Sequence, residues 1–178
     1  MDLRKIFFIA ACAASVLTSA QSECSDYWTG AQRSSDARFR TNGQSRGASV
    51  QVGKPTELNI IVYKGQDYHI AFAYDEKVLG DSIHVRLIEK VREANIKPSA
   101  DGSPSSITYA DVRKVIWDNA EQGGSQDIEF TATSSKRMAI EVTAPGVSEN
   151  GGKGRRSDRD IGCLGILIEH MPTPNIGF

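Results

Sequence analysis

Carboxylate and amide side chains cluster at the ends of two predicted strands, and oxygen ligands of this kind suit Ca²⁺. Asp75, Glu76 and Asp81 follow one strand, whereas Asp118 and Asn119 follow another. The spacing differs from that of an EF-hand loop, which needs acidic or amide residues at alternate positions, a glycine and a distal glutamate. The five residues are therefore a candidate calcium site, with ordinary solvated acidic loops as the alternative.

Two tryptophans are candidates for a second kind of site, because the CH-rich faces of sugars stack on flat aromatic rings. Trp28 lies in a segment without a regular pattern. Trp117 lies in an alternating run just before a turn, where packing in the core is the alternative to ligand binding. We treat Trp28 and Trp117 as candidate ligand-binding residues for a glycan.

Cysteine and histidine are too few and too scattered for structural zinc. Cys24 and Cys163 follow the N-terminal segment and can form a disulfide in an oxidising compartment, with two separate thiols as the alternative. His69 and His84 would face each other if runs 68–74 and 83–89 formed a hairpin. Two imidazoles alone make no metal site, so a solvated pair is expected there.

Recognisable catalytic motifs are missing from the sequence. There is no Gly-x-Ser-x-Gly nucleophile elbow, and the glycine-rich run 151–154 lacks the hydroxyl residue of a phosphate-binding loop. Cys163 and His170 belong to one apolar run, where a packed or bonded cysteine is expected instead of a nucleophile. The sequence predicts a non-catalytic protein that uses no cofactor other than the calcium considered above. A hydrolase built from loop carboxylates is the alternative.

The N-terminal residues have the pattern of a secretory signal. Arg4 and Lys5 precede an apolar stretch at 6–17 and small residues up to Ala20. We therefore predict a signal peptide at 1–20 and a periplasmic or secreted protein. The alternative is a lipid anchor at Cys12, which follows a lipobox-like Ile-Ala-Ala.

Charge and hydropathy exclude two other classes. The 21 basic and 22 acidic residues are balanced, so no polybasic surface for nucleic acid is expected. No apolar run reaches the roughly 20 residues of a transmembrane helix, so no membrane-spanning segment is predicted.

Apolar residues recur at every second position through most of the chain, as half-buried strands require. The runs begin after residue 47, and turn residues such as Gly, Pro, Asp and Ser separate them. They occupy residues 50–52, 58–62, 68–74, 83–87, 115–117, 128–132, 138–142 and 161–168. The pattern predicts an all-β, antiparallel β-sandwich of about eight strands, either jelly-roll-like or Ig-like.

The remaining segments complete the predicted domain organisation. Residues 21–46 form an irregular lead-in, and residues 47–178 form the sandwich domain. Segments 92–106 and 145–160 have no apolar period, so they are predicted to be long exposed loops. The final run has aliphatic residues on both faces, which predicts a central strand.

The order of several segments resembles that of the bacterial pre-peptidase C-terminal domain, a small β-sandwich. The segments are YKGQDYHI at 63–70, DSIHVRL at 81–87, IWDN at 116–119, IEFT at 128–131 and MAIEV at 138–142. The segment GCLGILIEH at 162–170 is similar to the end of a group of small exported bacterial proteins. This resemblance implies an exported accessory or binding role and carries over no catalytic residue.

Together these observations predict a non-catalytic exported protein that acts as a binding or cell-envelope accessory module. Its expected partner is an envelope protein or a glycan, and no nucleic acid is expected. A carbohydrate- or calcium-binding module and a hydrolase using loop carboxylates are the alternatives.

Overall fold

The computed structural model describes residues 24–97, 106–147 and 160–174. The predicted signal peptide at 1–20, with Cys12, lies outside the described residues, as do the first residues of the lead-in. Residues 98–105 and 148–159 of the two predicted loops also lie outside them.

Strands form most of the described chain. They are β1 (Arg40–Thr41), β2 (Arg46–Gln51), β3 (Thr56–Val62), β4 (Gln66–Tyr74), β5 (His84–Lys97), β6 (Ser106–Asp118), β7 (Asp127–Ala132), β8 (Lys136–Thr143) and β9 (Ile161–Pro172). One turn of helix, α1 (Glu76–Leu79), follows β4, and two 3₁₀ helices occupy Tyr27–Gly30 and Asn119–Gln122. In this part of the chain no helix is long and apolar enough to cross a membrane.

The strands form two antiparallel sheets. Sheet 1 has the order β2-β9-β4-β7, with the short β1 also paired to β9, and sheet 2 has the order β3-β8-β5-β6. From β2 to β9, every connection crosses between the sheets except the one between β5 and β6. The predicted antiparallel β-sandwich is confirmed, and its strand order is that of a jelly roll.

The core lies between the sheets and follows the predicted alternation. In β3 the buried residues are Leu58, Ile60 and Val62, and the residues between them are exposed. One continuous cluster joins these side chains to residues of β4, β5, β8 and β9. Removing each such side chain from water stabilises the fold by about 1.5–3 kcal/mol, so this cluster holds the two sheets together.

The predicted central position of the last strand is confirmed. Strand β9 pairs with β4 on one side and with β1 and β2 on the other. Leu164, Ile166 and Ile168 face the main core, whereas Leu167 belongs to a second cluster with Ala31. The second cluster forms because residues of the lead-in pack across the outer face of sheet 1.

The contact between Gly165 and the lead-in leaves no room for a side chain. A Cβ at Gly165 in β9 would overlap the backbone of Tyr27 and Trp28. We expect Gly165→Ala to lower the free energy of unfolding by about 1–3 kcal/mol, as overpacking does. Urea unfolding measures this loss. Gly43→Ala is the matched control, because a Cβ there meets nothing within 4 Å. Equal stability of the two variants would contradict the close packing.

The hairpin between runs 68–74 and 83–89, which was the condition for the histidine pair, does not form. Strand β4 lies in sheet 1 and β5 in sheet 2, because α1 and the following turn carry the chain across the sandwich. His69 and His84 therefore lie in different sheets and do not form the pair considered from the sequence.

The predicted loop at 92–106 is wrong for the residues at its two ends. Strand β8 pairs with β5 only over His84–Glu89, whereas β5 and β6 stay paired as far as Lys97 and Ser106. The hairpin therefore continues past the sheet as a two-stranded ribbon. Since both faces of such a ribbon are open to solvent, it needs no alternation of apolar and polar residues.

Candidate functional site

A cleft of about 670 Å³ opens along one side of the sandwich. Strands β6 and β7 are edge strands of sheets 2 and 1, and both line the cleft. The concavities beside Arg33 and beside Arg92 are smaller, at about 450 and 580 Å³. The cleft is therefore the best candidate for a ligand site among the described residues.

Aromatic and apolar side chains form the floor of the cleft. Trp117 pairs with Leu87 across β5 and β6, is half-buried and packs against the main core. Phe130 of β7 stacks on Tyr68 of β4, with ring centroids 5.6 Å apart. Met138 of β8 lies at the base. Trp117 thus packs against the core, as one of the two alternatives from the sequence expected, and it also lines the cleft, so it stays a candidate for ligand binding.

Polar side chains surround this floor. Gln122 ends the 3₁₀ helix after β6, and the Ser125 hydroxyl donates to Asp127 Oδ1 at 3.0 Å. At the other end Lys136 Nζ lies 3.0 Å from Glu89 Oε2. A β-bulge between the Leu87 and Ile88 pairs leaves Ile116 as an extra residue beside the cleft. An apolar floor with donors and acceptors around it suits a ligand that has one apolar face and several hydroxyl groups.

Trp28 does not line this cleft. It belongs to the 3₁₀ helix of the lead-in and packs against the second cluster on the outer face of sheet 1. The structure therefore does not bring the two candidate tryptophans together.

The candidate calcium ligands after β6 are used in local structure. Asn119 is buried, where its Oδ1 accepts from Val85 N and its Nδ2 donates to Ile83 O. Asp118 Oδ1 accepts from Ala120 N and lies 2.8 Å from His84 Nε2. Burial acts to raise the pKa of Asp118, but these donors outweigh it and lower the pKa below its usual value.

The candidate calcium ligands after β4 are also used in local structure or exposed to solvent. The Asp75 side chain caps α1 by accepting from Lys77 N, and Glu76 is exposed in its first turn. Asp81 accepts a hydrogen bond from the Tyr74 hydroxyl through its backbone oxygen. Within the described ranges, no three His, Cys, Asp or Glu side chains are grouped so that they could hold a metal ion. The geometry therefore gives the calcium hypothesis no support.

A buried polar cluster joins the lead-in to sheet 1, and the sequence analysis missed it. His69 of β4 and Glu169 of β9 are each only 2% exposed, with Nδ1 and Oε2 3.2 Å apart. Glu169 also accepts from Arg33 Nε at 3.1 Å and from Ser34 N at 2.8 Å. Burial acts to raise the pKa of Glu169, but the donors Ser34, Arg33 and His69 outweigh it and lower the pKa.

This buried cluster is suited to holding the lead-in in place. His69 Nε2 lies 3.5 Å from Asp127 Oδ2, so carboxylates flank both ring nitrogens. The Phe39 ring meets the imidazole edge to face, with centroids 6.1 Å apart. Because the imidazole is covered in this way, a substrate has no direct access to it.

Two carboxylates, Asp127 and Glu129, also line the cleft, but their side chains turn away from its floor. Ile128 and Phe130 of β7 point to the core, so Asp127 and Glu129, which alternate with them, point to the outer face of sheet 1. There Glu129 Oε1 accepts from the Ser34 hydroxyl at 3.0 Å. This arrangement offers little support for a hydrolase that uses these two carboxylates in the cleft.

Cys24 and Cys163 form a disulfide, with their Cα atoms 5.1 Å apart. The bond joins the start of the described chain to β9 across the outer face of sheet 1. A bonded Cys163 has no thiolate to act as a nucleophile with His170. The ring of His170 is instead bonded to the Asn42 side chain.

Comparison of the chain with protein-family models finds no matching family, and comparison with curated proteins finds no significant match. The fold and the chemistry of the cleft are therefore the grounds for assigning this chain a function.

Proposed function

We propose that this protein is an exported, non-catalytic binding module and that the β6–β7 cleft is its ligand site. The single observation that carries the proposal is the position of Trp117 and Phe130 in an open cleft with a polar rim. Both rings are held by the core, so little side-chain entropy is lost when a ligand stacks on them.

A glycan of the cell envelope is the ligand class that fits this chemistry. The CH-rich face of a pyranose ring can stack on Trp117, while its hydroxyl groups reach the side chains of Gln122, Ser125 and Lys136. Jelly rolls include lectin domains, although this fold alone specifies no ligand.

Export is supported by two features. The N-terminal residues have the basic, apolar and small-residue pattern of a signal peptide. The Cys24–Cys163 disulfide is compatible with an oxidising compartment outside the cytoplasm. The resemblance to the pre-peptidase C-terminal domain points to the same kind of accessory role.

Calorimetric titration of the full chain with soluble oligomers of N-acetylglucosamine and of glucose tests this proposal. We expect measurable binding by the unchanged protein and a loss of about tenfold or more in affinity for Trp117→Ala. Trp117→Phe keeps part of the packing and is expected to lose less affinity.

Tyr63→Ala is the matched control, because Tyr63 is an exposed aromatic residue that does not line the cleft. Melting temperatures of all three variants separate lost binding from lost folding. No binding of either oligomer series, or equal affinity of the Trp117 and Tyr63 variants, would count against a glycan site in the cleft.

A further inference from the structure

The two edge strands of sheet 2, β3 and β6, differ in whether side chains bond to their outer backbone groups. At the β3 edge, Gln44 bonds to both backbone groups of Ile61, and Arg46 donates to Asn59 O at 2.8 Å. These side chains cover polar groups that another strand would otherwise pair with. Among the described residues, no side chain bonds in this way to the free backbone edge of β6. The protein therefore blocks one edge of this sheet and leaves the other open.

The open edge also carries exposed apolar side chains. Tyr109 is 60% exposed, Ile107 55% and Val112 36%, and all belong to β6. Val115 and Ile116 of the same strand are exposed as well. A long edge strand with this composition readily pairs with another strand.

We propose that two copies of this chain associate through antiparallel pairing of β6, with Val112 on the two-fold axis. The two β5–β6 ribbons then pair edge to edge, and this pairing is continuous with sheet 2 of each copy at Val115. This inference does not depend on what binds in the cleft.

The two-fold symmetry restricts the possible registers. In a continuous sheet, paired residues lie on the same face, so one residue must face its own copy across the axis. An axis at Asp111, Arg113 or Lys114 would place like charges directly opposite each other, which is destabilising. Among these central positions of β6, the axis at Val112 avoids such a contact.

The Val112 register also creates favourable pairs. Tyr109, Asp111, Arg113 and Val115 lie on the face of the β5–β6 hairpin that continues the outer face of sheet 2, since they pair with β5 residues that alternate with the core-facing Val85 and Leu87. With Val112 on the axis, Asp111 faces the partner's Arg113, and the same pair forms twice by symmetry. Tyr109 then faces the partner's Val115, which covers exposed apolar surface on both copies.

The existing contacts of these two charged residues permit the new pair. Arg113 bonds to Glu57 and Glu141, yet its side chain is still 46% exposed. Asp111 forms no ion pair within 4 Å in the described part of the chain, although Arg92 lies opposite it on β5, so pairing would bring this carboxylate a second cation. The bulge beyond Val115 ends the regular ladder and confines the pairing to residues 109–115.

A cysteine at the axis tests the register directly. Paired Cα atoms in an antiparallel ladder are about 4.5 or 5.5 Å apart, within the range for a disulfide. In the full chain carrying Cys12→Ser, we expect Val112→Cys to give a disulfide-linked dimer on a non-reducing gel. Ala110→Cys and Lys114→Cys are matched controls, because neither residue faces its own copy in this register, and both should stay monomeric.

A charge reversal provides a second measurement with the native cysteines unchanged. We expect Asp111→Arg to weaken dimerisation at least tenfold in sedimentation equilibrium, because it places two arginines opposite each other. Asp81→Arg is the control, since it makes the same charge change outside the paired residues 109–115. A monomeric unchanged protein at millimolar concentration would overturn the proposal. Cross-linking of the control cysteines instead of Val112→Cys, or cross-linking only to other proteins, would also overturn it.

Discussion

Replacing both Cys24 and Cys163 by serine is expected to lower the free energy of unfolding by about 4–5 kcal/mol. The bond joins residues separated by 139 positions, so it closes a loop that contains most of the described chain. On the chain-entropy model, a loop of this length strongly restricts the unfolded state. Urea unfolding of the double variant beside the oxidised protein measures the loss.

Reduction supplies the control for this prediction. Dithiothreitol should shift the unfolding curve of the unchanged protein onto that of the double variant and leave the variant itself unaltered. A difference of less than about 1 kcal/mol between the oxidised and reduced proteins would show that residual structure or strain offsets the entropy gain.

The strands that face the core were predictable from the sequence. Runs such as Leu58, Ile60 and Val62 alternate because one face of the sheet is buried and the other is open. Strand β9 was predictable as a central strand for a related reason, since both of its faces are covered. These are local patterns, and they depend little on which strand pairs with which.

Pairing and sheet membership were less accessible to sequence reasoning. The turn from β4 to β5 offers the same residues whether the chain returns in one sheet or crosses to the other, and it crosses. The β5–β6 ribbon has no buried face, so its apolar period vanishes although its backbone remains paired. The turn residues and the alternating pattern therefore do not show which strands pair or which sheet a strand joins.

The candidate site was only partly predictable. Trp117 stood out as an aromatic residue near a turn, but Phe130 looked like any alternating core residue, and only the crossing of the chain brings them into one cleft. Arg33 and Glu169 lie 136 positions apart, so no local pattern links them. Glu169 could have been noticed as the single acidic residue within the apolar final strand.

Replacing Glu169 by alanine is expected to lower the free energy of unfolding by about 3 kcal/mol or more. Glu169 and His69 are both nearly inaccessible to water, and removing Glu169 leaves His69 Nδ1 buried without its hydrogen-bond partner. The Ser34 amide loses its acceptor at the same time. Chemical unfolding measures the effect, and Glu76→Ala, a truncation at an exposed position, should change stability by less than about 0.5 kcal/mol.

The pH dependence of stability isolates the charge of Glu169 from its packing. Since the pKa of Glu169 is lower in the folded protein than its ordinary value of 4.5, the unfolded chain takes up its proton first as the pH falls. Ionised Glu169 therefore stabilises the fold above pH 4.5, and this contribution is lost as the pH falls through its folded pKa. We expect Glu169→Gln to be less stable than the unchanged protein at pH 7, with the gap narrowing below pH 4.5. A gap that stays constant into acid would mean that shape and hydrogen bonding, and not ionisation, give Glu169 its role in holding the lead-in against sheet 1.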